Sequence, residues 1–271
     1  MPDVLLIHPP SVYDFRERIW FTGPIARTVP ALTPVFICVP IGLVSMGEYL
    51  NRHGYSVRIS NVAERMLIEK QFDAERYIKG VDADIFGIDL HWCVHSQGAI
   101  EVANLCKKYH PNSLVVLGGL TATVFHREIL ERFPFVDMVV RGEAKEPTLS
   151  LLQAFDQQQR DFSKVPSITY RENERILTNS TAKPCDDLDG FEFTSLDLVE
   201  PKERMLLSGK TLCWHVPVCR GCLKNCATCG GSQYSYQKPT QNRRRPSPTP
   251  RTEDRIRILI PRHENGRQTI H

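Results

Sequence analysis

The chain has no apolar run long enough to cross a bilayer. Its longest apolar stretch, residues 35–46, is broken by Pro40 and Gly42, and a spanning helix takes about 20 apolar residues. No basic n-region or cleavage site marks residues 1–10, so no secretory signal is expected and the chain reads as cytosolic, with no membrane partner. No Ser/His/Asp arrangement, paired-carboxylate pattern or internal repeat stands out. Strong charge of one sign is also missing. The formal net charge is +3, but it is unevenly spread. Residues 237–271 hold nine Lys/Arg and three Asp/Glu (net +6), leaving 25 and 28 (net −3) for the first 236. The basic run Arg243-Arg244-Arg245 lacks interleaved aromatics, so base stacking, and with it a nucleic-acid partner, is not expected.

What is present is a foldable composition. Hydrophobic residues at 41% and charged residues at 24% exclude a wholly disordered, collagen-like or coiled-coil chain. A length of 271 residues suits two domains, or one and a large fragment.

Up to residue 155, short apolar runs alternate with amphipathic segments. Val4–Ile7, Ser56–Ile59, Asp84–Ile88, Leu114–Leu117 and Asp137–Val140 read as buried strands. Between them, Ile41, Val44 and Tyr49/Leu50 share one helical face, with Pro40 before it and Gly54 after it. Ile100, Ala103, Cys106 and Tyr109 recur every three residues between Ser96 and Pro111, and Val124–Phe133 and Glu146–Phe155 repeat the theme. This alternation predicts an α/β fold, a doubly wound parallel five-stranded sheet. Such sheets bind ligands at the carboxyl ends of their strands. The loops at those ends are His8-Pro9-Pro10, Asp89 to His95, Gly118-Gly119 and Arg141-Gly142-Glu143. The proline-rich connection from Pro9 to Pro40 is long enough to suggest a functional lid at the same end.

Residues 156–209 read as a connector with a small hairpin, Ser167–Tyr170 and Arg175–Thr178. Pro184–Pro201 is acidic and turn-rich, and Lys210–Trp214 is a candidate strand. Residues 237–271 carry only five apolar residues and are expected to form a basic, disordered tail.

Cysteine is abundant, and four of the nine crowd into eleven residues: Cys219, Cys222, Cys226 and Cys229, at spacings x2, x3 and x2. In a reducing compartment such crowding reads as metal binding or redox chemistry. Soft sulfur ligands select iron–sulfur clusters, zinc or Cu(I). Paired zinc knuckles need about 15–20 residues between them. Only three separate the two pairs here, so one loop around one iron–sulfur cluster is the favoured reading.

Cys222-x3-Cys226-x2-Cys229 resembles the cluster motif of the radical S-adenosylmethionine (radical SAM) superfamily. The resemblance implies three cysteines holding a 4Fe-4S cluster, with a fourth iron open to S-adenosylmethionine and a 5′-deoxyadenosyl radical as product of its cleavage. Cys219 then flanks the loop; as a fourth ligand it would close the cluster and leave an electron carrier. Upstream, the segment from Val4-Leu-Leu-Ile-His-Pro-Pro10 to Val139-Val-Arg-Gly-Glu143 looks like the flavodoxin-like, cobalamin-binding domain that precedes the radical SAM domain in many such enzymes. That resemblance covers residues 1–236. It implies cobalamin contacts at His8, Pro9, Pro10, Asp89, Leu90, Trp92, Gly118, Gly119, Arg141, Gly142 and Glu143. His91, His95 and His215 read as ordinary polar residues.

The sequence departs from the pattern in places. Thr228 stands where the family often has an aromatic, and His8-Pro9-Pro10-Ser11 replaces the Asp-x-His-x-x-Gly that supplies histidine to cobalt in some cobalamin domains. Only 271 − 229 = 42 residues follow the last clustered cysteine, whereas a full (β/α) barrel takes about 250. The expected layout is therefore 1–155, cobalamin-binding-like domain; 156–209, connector; 210–236, start of an incomplete radical SAM (β/α) barrel with the cluster loop; 237–271, tail. A truncation after the cluster loop is expected. The implied reaction class is methyl transfer or rearrangement at an unactivated carbon, with small-molecule cofactors and a reductant such as ferredoxin or flavodoxin. A non-catalytic cobalamin-binding fragment and a ferredoxin-like carrier using four cysteines remain the alternatives.

Overall fold

The computed structural model describes residues 2–14, 16, 41–69, 71–157, 160–183, 192–193 and 195–200, together with the backbone of 219–220 and 243–244. Most of the Pro9–Pro40 connection, the Lys210–Trp214 segment and the cysteines Cys222, Cys226 and Cys229 lie outside the described residues.

The five expected strands form: β1 (Val4–His8), β2 (Val57–Asn61), β3 (Ile85–Asp89), β4 (Leu114–Gly118) and β5 (Met138–Val140). They pair in parallel, in the order β5-β4-β3-β1-β2. Every residue of β1 is buried. A strand covered on both faces by helices needs a continuous apolar run, which is why Val4–Ile7 shows no polar alternation.

Seven helices are described: α1 (Ile41–Arg52), α2 (Val62–Ile68), α3 (Ala74–Gly80), α4 (Ser96–Tyr109), α5 (Leu120–Val124), α6 (His126–Arg132) and α7 (Lys145–Asp156). Strand alternation splits the core into two layers. Leu5 and Ile7 pack with Val62, Met66, Ile78, Val102 and Leu130 from α2, α3, α4 and α6. Val4 and Leu6 pack with Leu43, Val44, Leu50, Leu149 and Leu152 from α1 and α7. α1 ends just ahead of Gly54, whose φ of +91° suits the residue after a helix. No helix among the described residues is long and apolar enough to cross a membrane.

Three features differ from the sequence-based picture. The parallel five-stranded unit is the middle of a mixed eight-stranded sheet, β7-β6-β5-β4-β3-β1-β2-β8. The hairpin β6 (Ile168–Glu172) and β7 (Arg175–Thr178) adds antiparallel to β5, and β8 (Val199–Glu200) adds parallel to β2. Both additions cover edges that would otherwise present unpaired backbone. The hairpin turns on Asn173 and Glu174, both at positive φ (46° and 66°), as a tight two-residue connection requires. Second, the helix expected over Val124–Phe133 is confined to α6 (His126–Arg132), and Phe125 separates it from a further short helix, α5 (Leu120–Val124). Third, within the expected tail, β10 (Arg243–Arg244) pairs antiparallel with β9 (Cys219–Arg220). Such a pairing runs on backbone hydrogen bonds and needs no apolar side chains.

Candidate functional site

The strand order places the topological switch between β1 and β3: from β1 the chain moves outward to β2, then crosses back to build β3, β4 and β5 on the other side. Loops on either side of such a point diverge and leave a crevice at the carboxyl ends of the strands. The four loops picked out from sequence converge on that end.

They are bonded to one another in strand order. His8, ending β1, meets Asp89, ending β3, with Nδ1 and Oδ2 3.1 Å apart. A carboxylate only accepts, so His8 Nδ1 carries the proton and donates it. Leu90 N–H then donates to Gly118 O (2.7 Å), and Thr121 N–H to His91 O (3.1 Å), joining the β3 and β4 loops. The Thr123 hydroxyl donates to Gly119 O (2.7 Å) and accepts from Gly142 N–H (2.9 Å), joining the β4 and β5 loops. Gly119 has φ +107°, and a Cβ there would lie 2.7 Å from His91 N. Its missing side chain is thus accounted for by the protein's own backbone. Gly118 is more open, with only Val140 O near, at 3.9 Å from an added Cβ.

Around His8 the crevice floor is polar and buried. His8 is 4% exposed, and its Nε2 has no hydrogen-bond partner among the described residues. Its ring meets that of His95 edge-on at 5.1 Å. His95 is 3% exposed. Burial, followed by the repulsion of charge on His8, pushes its pKa down to about 4, so His95 is neutral at physiological pH. Glu64, in the first turn of α2, is held above the ordinary carboxyl range by burial, with charge on His8 acting in the opposite direction. Asn61, the register partner of His8 on β2, caps α2 by accepting from Glu64 N–H at 3.0 Å.

The remaining candidates divide by where their side chains go. Pro9 and Pro10 are buried, and Pro10 lies against α4, where a Cβ on Gly98 would come within 1.9 Å of its carbonyl oxygen. Tyr13 N–H donates to Gln97 Oε1 (2.6 Å), pinning the same loop to α4. Leu90 is 2% exposed and packs in the core, so only its backbone reaches the crevice rim. Trp92 is 46% exposed and stands edge-on to the His91 ring at 5.2 Å. Arg141 is turned away from the loops: its guanidinium donates to the carbonyls of Asn179 and Ile168 and ties β5 to the hairpin. Burial lowers its pKa. Glu143 is half-buried beside Gly142. Among the described residues, no group of three or more His, Cys, Asp or Glu side chains is placed to hold a metal ion.

Sequence reasoning read His95 as an ordinary polar residue and did not single out Thr121, Thr123 or Gly98. Nothing local marks the first three, each of which has a partner on another loop. α2 and α3 did carry a signal: Asn61 followed by Glu64, and Asp73 followed by Arg76, each cap donors of a first turn.

Residues 27–152 match the family model for a B12 binding domain. The match covers most of the α/β unit, whose strand order is that of flavodoxin-like domains. The chain is 33% identical over 120 residues to the anaerobic magnesium-protoporphyrin IX monomethyl ester cyclase of Synechocystis sp., covering 44% of this chain and 23% of that protein. It is 28% identical over 104 residues to the cobalamin-dependent radical SAM methyltransferase TokK of Streptomyces tokunonensis, covering 38% and 15%. The apo structure of the cobalamin-dependent S-adenosylmethionine radical enzyme OxsB superposes with a TM-score of 0.60 at 16% identity, over 96% of this chain and 32% of that one, a likeness of fold. The chain is thus similar to part of each of these proteins and spans less than a quarter of the length of the two relatives named.

Proposed function

We propose that the chain acts in cobalamin-dependent radical SAM chemistry, with cobalamin at the carboxyl ends of β1, β3, β4 and β5 and a 4Fe-4S cluster on Cys222, Cys226 and Cys229. The observation that carries the reading is the laced set of loops at the switch point of a B12-binding-type domain. The residues there suit a large, flat, partly apolar cofactor: an exposed indole at Trp92, an open backbone edge at Gly118, and interconnected loops. His8 is buried, at 4% exposed, which fits a cobalamin held without a protein histidine on cobalt.

When bound, cobalamin supplies a transferable methyl group, and the cluster supplies the electron that cleaves S-adenosylmethionine. The chain's own part is to bind, orient and shield. Trp92 covers apolar surface. Thr123 and Gly119 keep the β4 and β5 loops together. Cys222, Cys226 and Cys229 would hold the cluster, with Cys219 outside the set. A small one-electron donor such as ferredoxin or flavodoxin supplies the reducing equivalent. The reaction class is methyl transfer or rearrangement at an unactivated carbon.

The test is anaerobic reconstitution of the full chain, with an iron and zinc count, electron paramagnetic resonance and cobalamin titration. About four irons per chain, with a signal that shifts when S-adenosylmethionine is added, is the expected result. Cys226→Ala should abolish the signal and leave cobalamin binding intact. Iron-free, zinc-loaded protein overturns the cluster reading. A signal that ignores S-adenosylmethionine and depends on Cys219 replaces it with an electron carrier. Cobalamin bound in the absence of any cluster signal leaves a binding module.

A further inference from the structure

The segment from Leu90 to Trp92 leaves the sheet crest with its indole exposed, yet its backbone is gripped from two strands. Leu90 N–H donates to Gly118 O (2.7 Å) and Leu90 O accepts from Ala122 N–H (3.2 Å). His91 O accepts twice, from Thr121 N–H (3.1 Å) and from the Thr121 hydroxyl (3.0 Å). The close approach depends on Gly119, whose φ of +107° and lack of a Cβ let the two backbones touch. From the β1 side, His8 holds Asp89, the residue just before this segment. The backbone beneath this aromatic has little freedom left to lose when a ligand covers the indole.

We propose that Thr121 and Gly119 are positioning residues that hold Trp92, before any ligand arrives, where its indole covers the flat apolar surface of the ligand. The inference rests on the cobalamin reading above, so that surface is the corrin macrocycle. Thr121 acts through the His91 carbonyl, not by contact with the cofactor. It sets the strength of cofactor binding by preorganising the tryptophan next in sequence to that carbonyl.

The test uses the full chain with Trp20 and Trp214 changed to phenylalanine, so that Trp92 is the only indole of the three. Thr121→Val keeps the side-chain shape and removes the hydroxyl; Thr121→Ser keeps the hydroxyl. Without ligand, Thr121→Val should lower the fluorescence anisotropy of Trp92 at unchanged far-ultraviolet circular dichroism. It should also weaken hydroxocobalamin binding roughly three- to tenfold, the worth of one lost hydrogen bond. Thr121→Ser should restore both. Gly119→Ala repeats the test at the second contact, with a larger loss of anisotropy. Unchanged anisotropy in Thr121→Val overturns the proposal. Lower anisotropy with unchanged cobalamin affinity also overturns it, because the held indole is then not used by the ligand. If the parent chain binds no cobalamin, the cofactor reading itself falls; a parent that binds, with a Thr121→Val variant that binds equally well, refutes only the positioning role.

Discussion

Acidification should destabilise the folded chain through one residue, His95, by an amount that follows from its burial. In the unfolded chain this imidazole takes a proton near its ordinary pKa of 6.5, whereas in the folded chain it resists until about pH 4. Between those values the unfolded state binds more protons, so stability falls as pH drops. At pH 8 neither state holds the proton and the contribution vanishes. At pH 5 nearly every unfolded chain and about a tenth of folded chains are protonated at this site, a difference of about 2 kcal/mol. Urea unfolding at pH 8, 6.5 and 5 reads it as a midpoint lowered by roughly 1 M at pH 5, given a slope of about 1–3 kcal/mol/M. Other groups also titrate, including His126, lowered by burial, and Glu64, raised by it. The comparison is therefore between wild type and His95→Gln. The variant should lose distinctly less stability between pH 8 and pH 5, whatever its stability at pH 8. Parallel losses in the two proteins would refute the reasoning, and with it the neutral, buried state assigned to His95.

Gly98→Ala should cost about 1–3 kcal/mol, because the new methyl would overlap backbone at Pro10 and force the β1 loop off α4; thermal unfolding measures it. Thr123→Val leaves Gly142 N–H without its acceptor and should cost about 1–3 kcal/mol, with faster amide hydrogen exchange at Gly142 than in wild type. Glu64→Gln should stabilise the chain at pH 8 and lose that advantage towards pH 4. Burial raises the folded-state pKa of Glu64, so the wild-type penalty grows as pH rises. An advantage equal at both pH values would contradict this sign.

Local pattern and tertiary contact divide the work in a recognisable way. Val4–Ile7 and Leu114–Leu117 could be picked out as buried strands because a parallel strand covered on both faces must be apolar throughout. Their alternation with amphipathic segments led to the doubly wound class, and from there to the loops at the carboxyl ends. The crowding of Cys219, Cys222, Cys226 and Cys229 was equally plain, because spacing is written along the chain. The extra strands were harder to foresee. β8 has two residues, and its place beside β2 depends on a partner more than a hundred positions away.

The site itself is mostly a product of the fold. His8 and Asp89 are 81 positions apart and become neighbours only because β1 and β3 are adjacent. His95, an unremarkable polar residue in sequence, becomes a buried neutral base beside His8. Arg141, promising at the end of β5, is claimed by the carbonyls of Asn179 and Ile168. Gly119 and Thr121 gain their meaning from His91, on another strand's loop. Periodicity reports which face of an element is buried, a property of neighbours three or four residues apart. Which loops meet at a crevice depends on strand order, set by the packing of the whole sheet, and no local pattern encodes it.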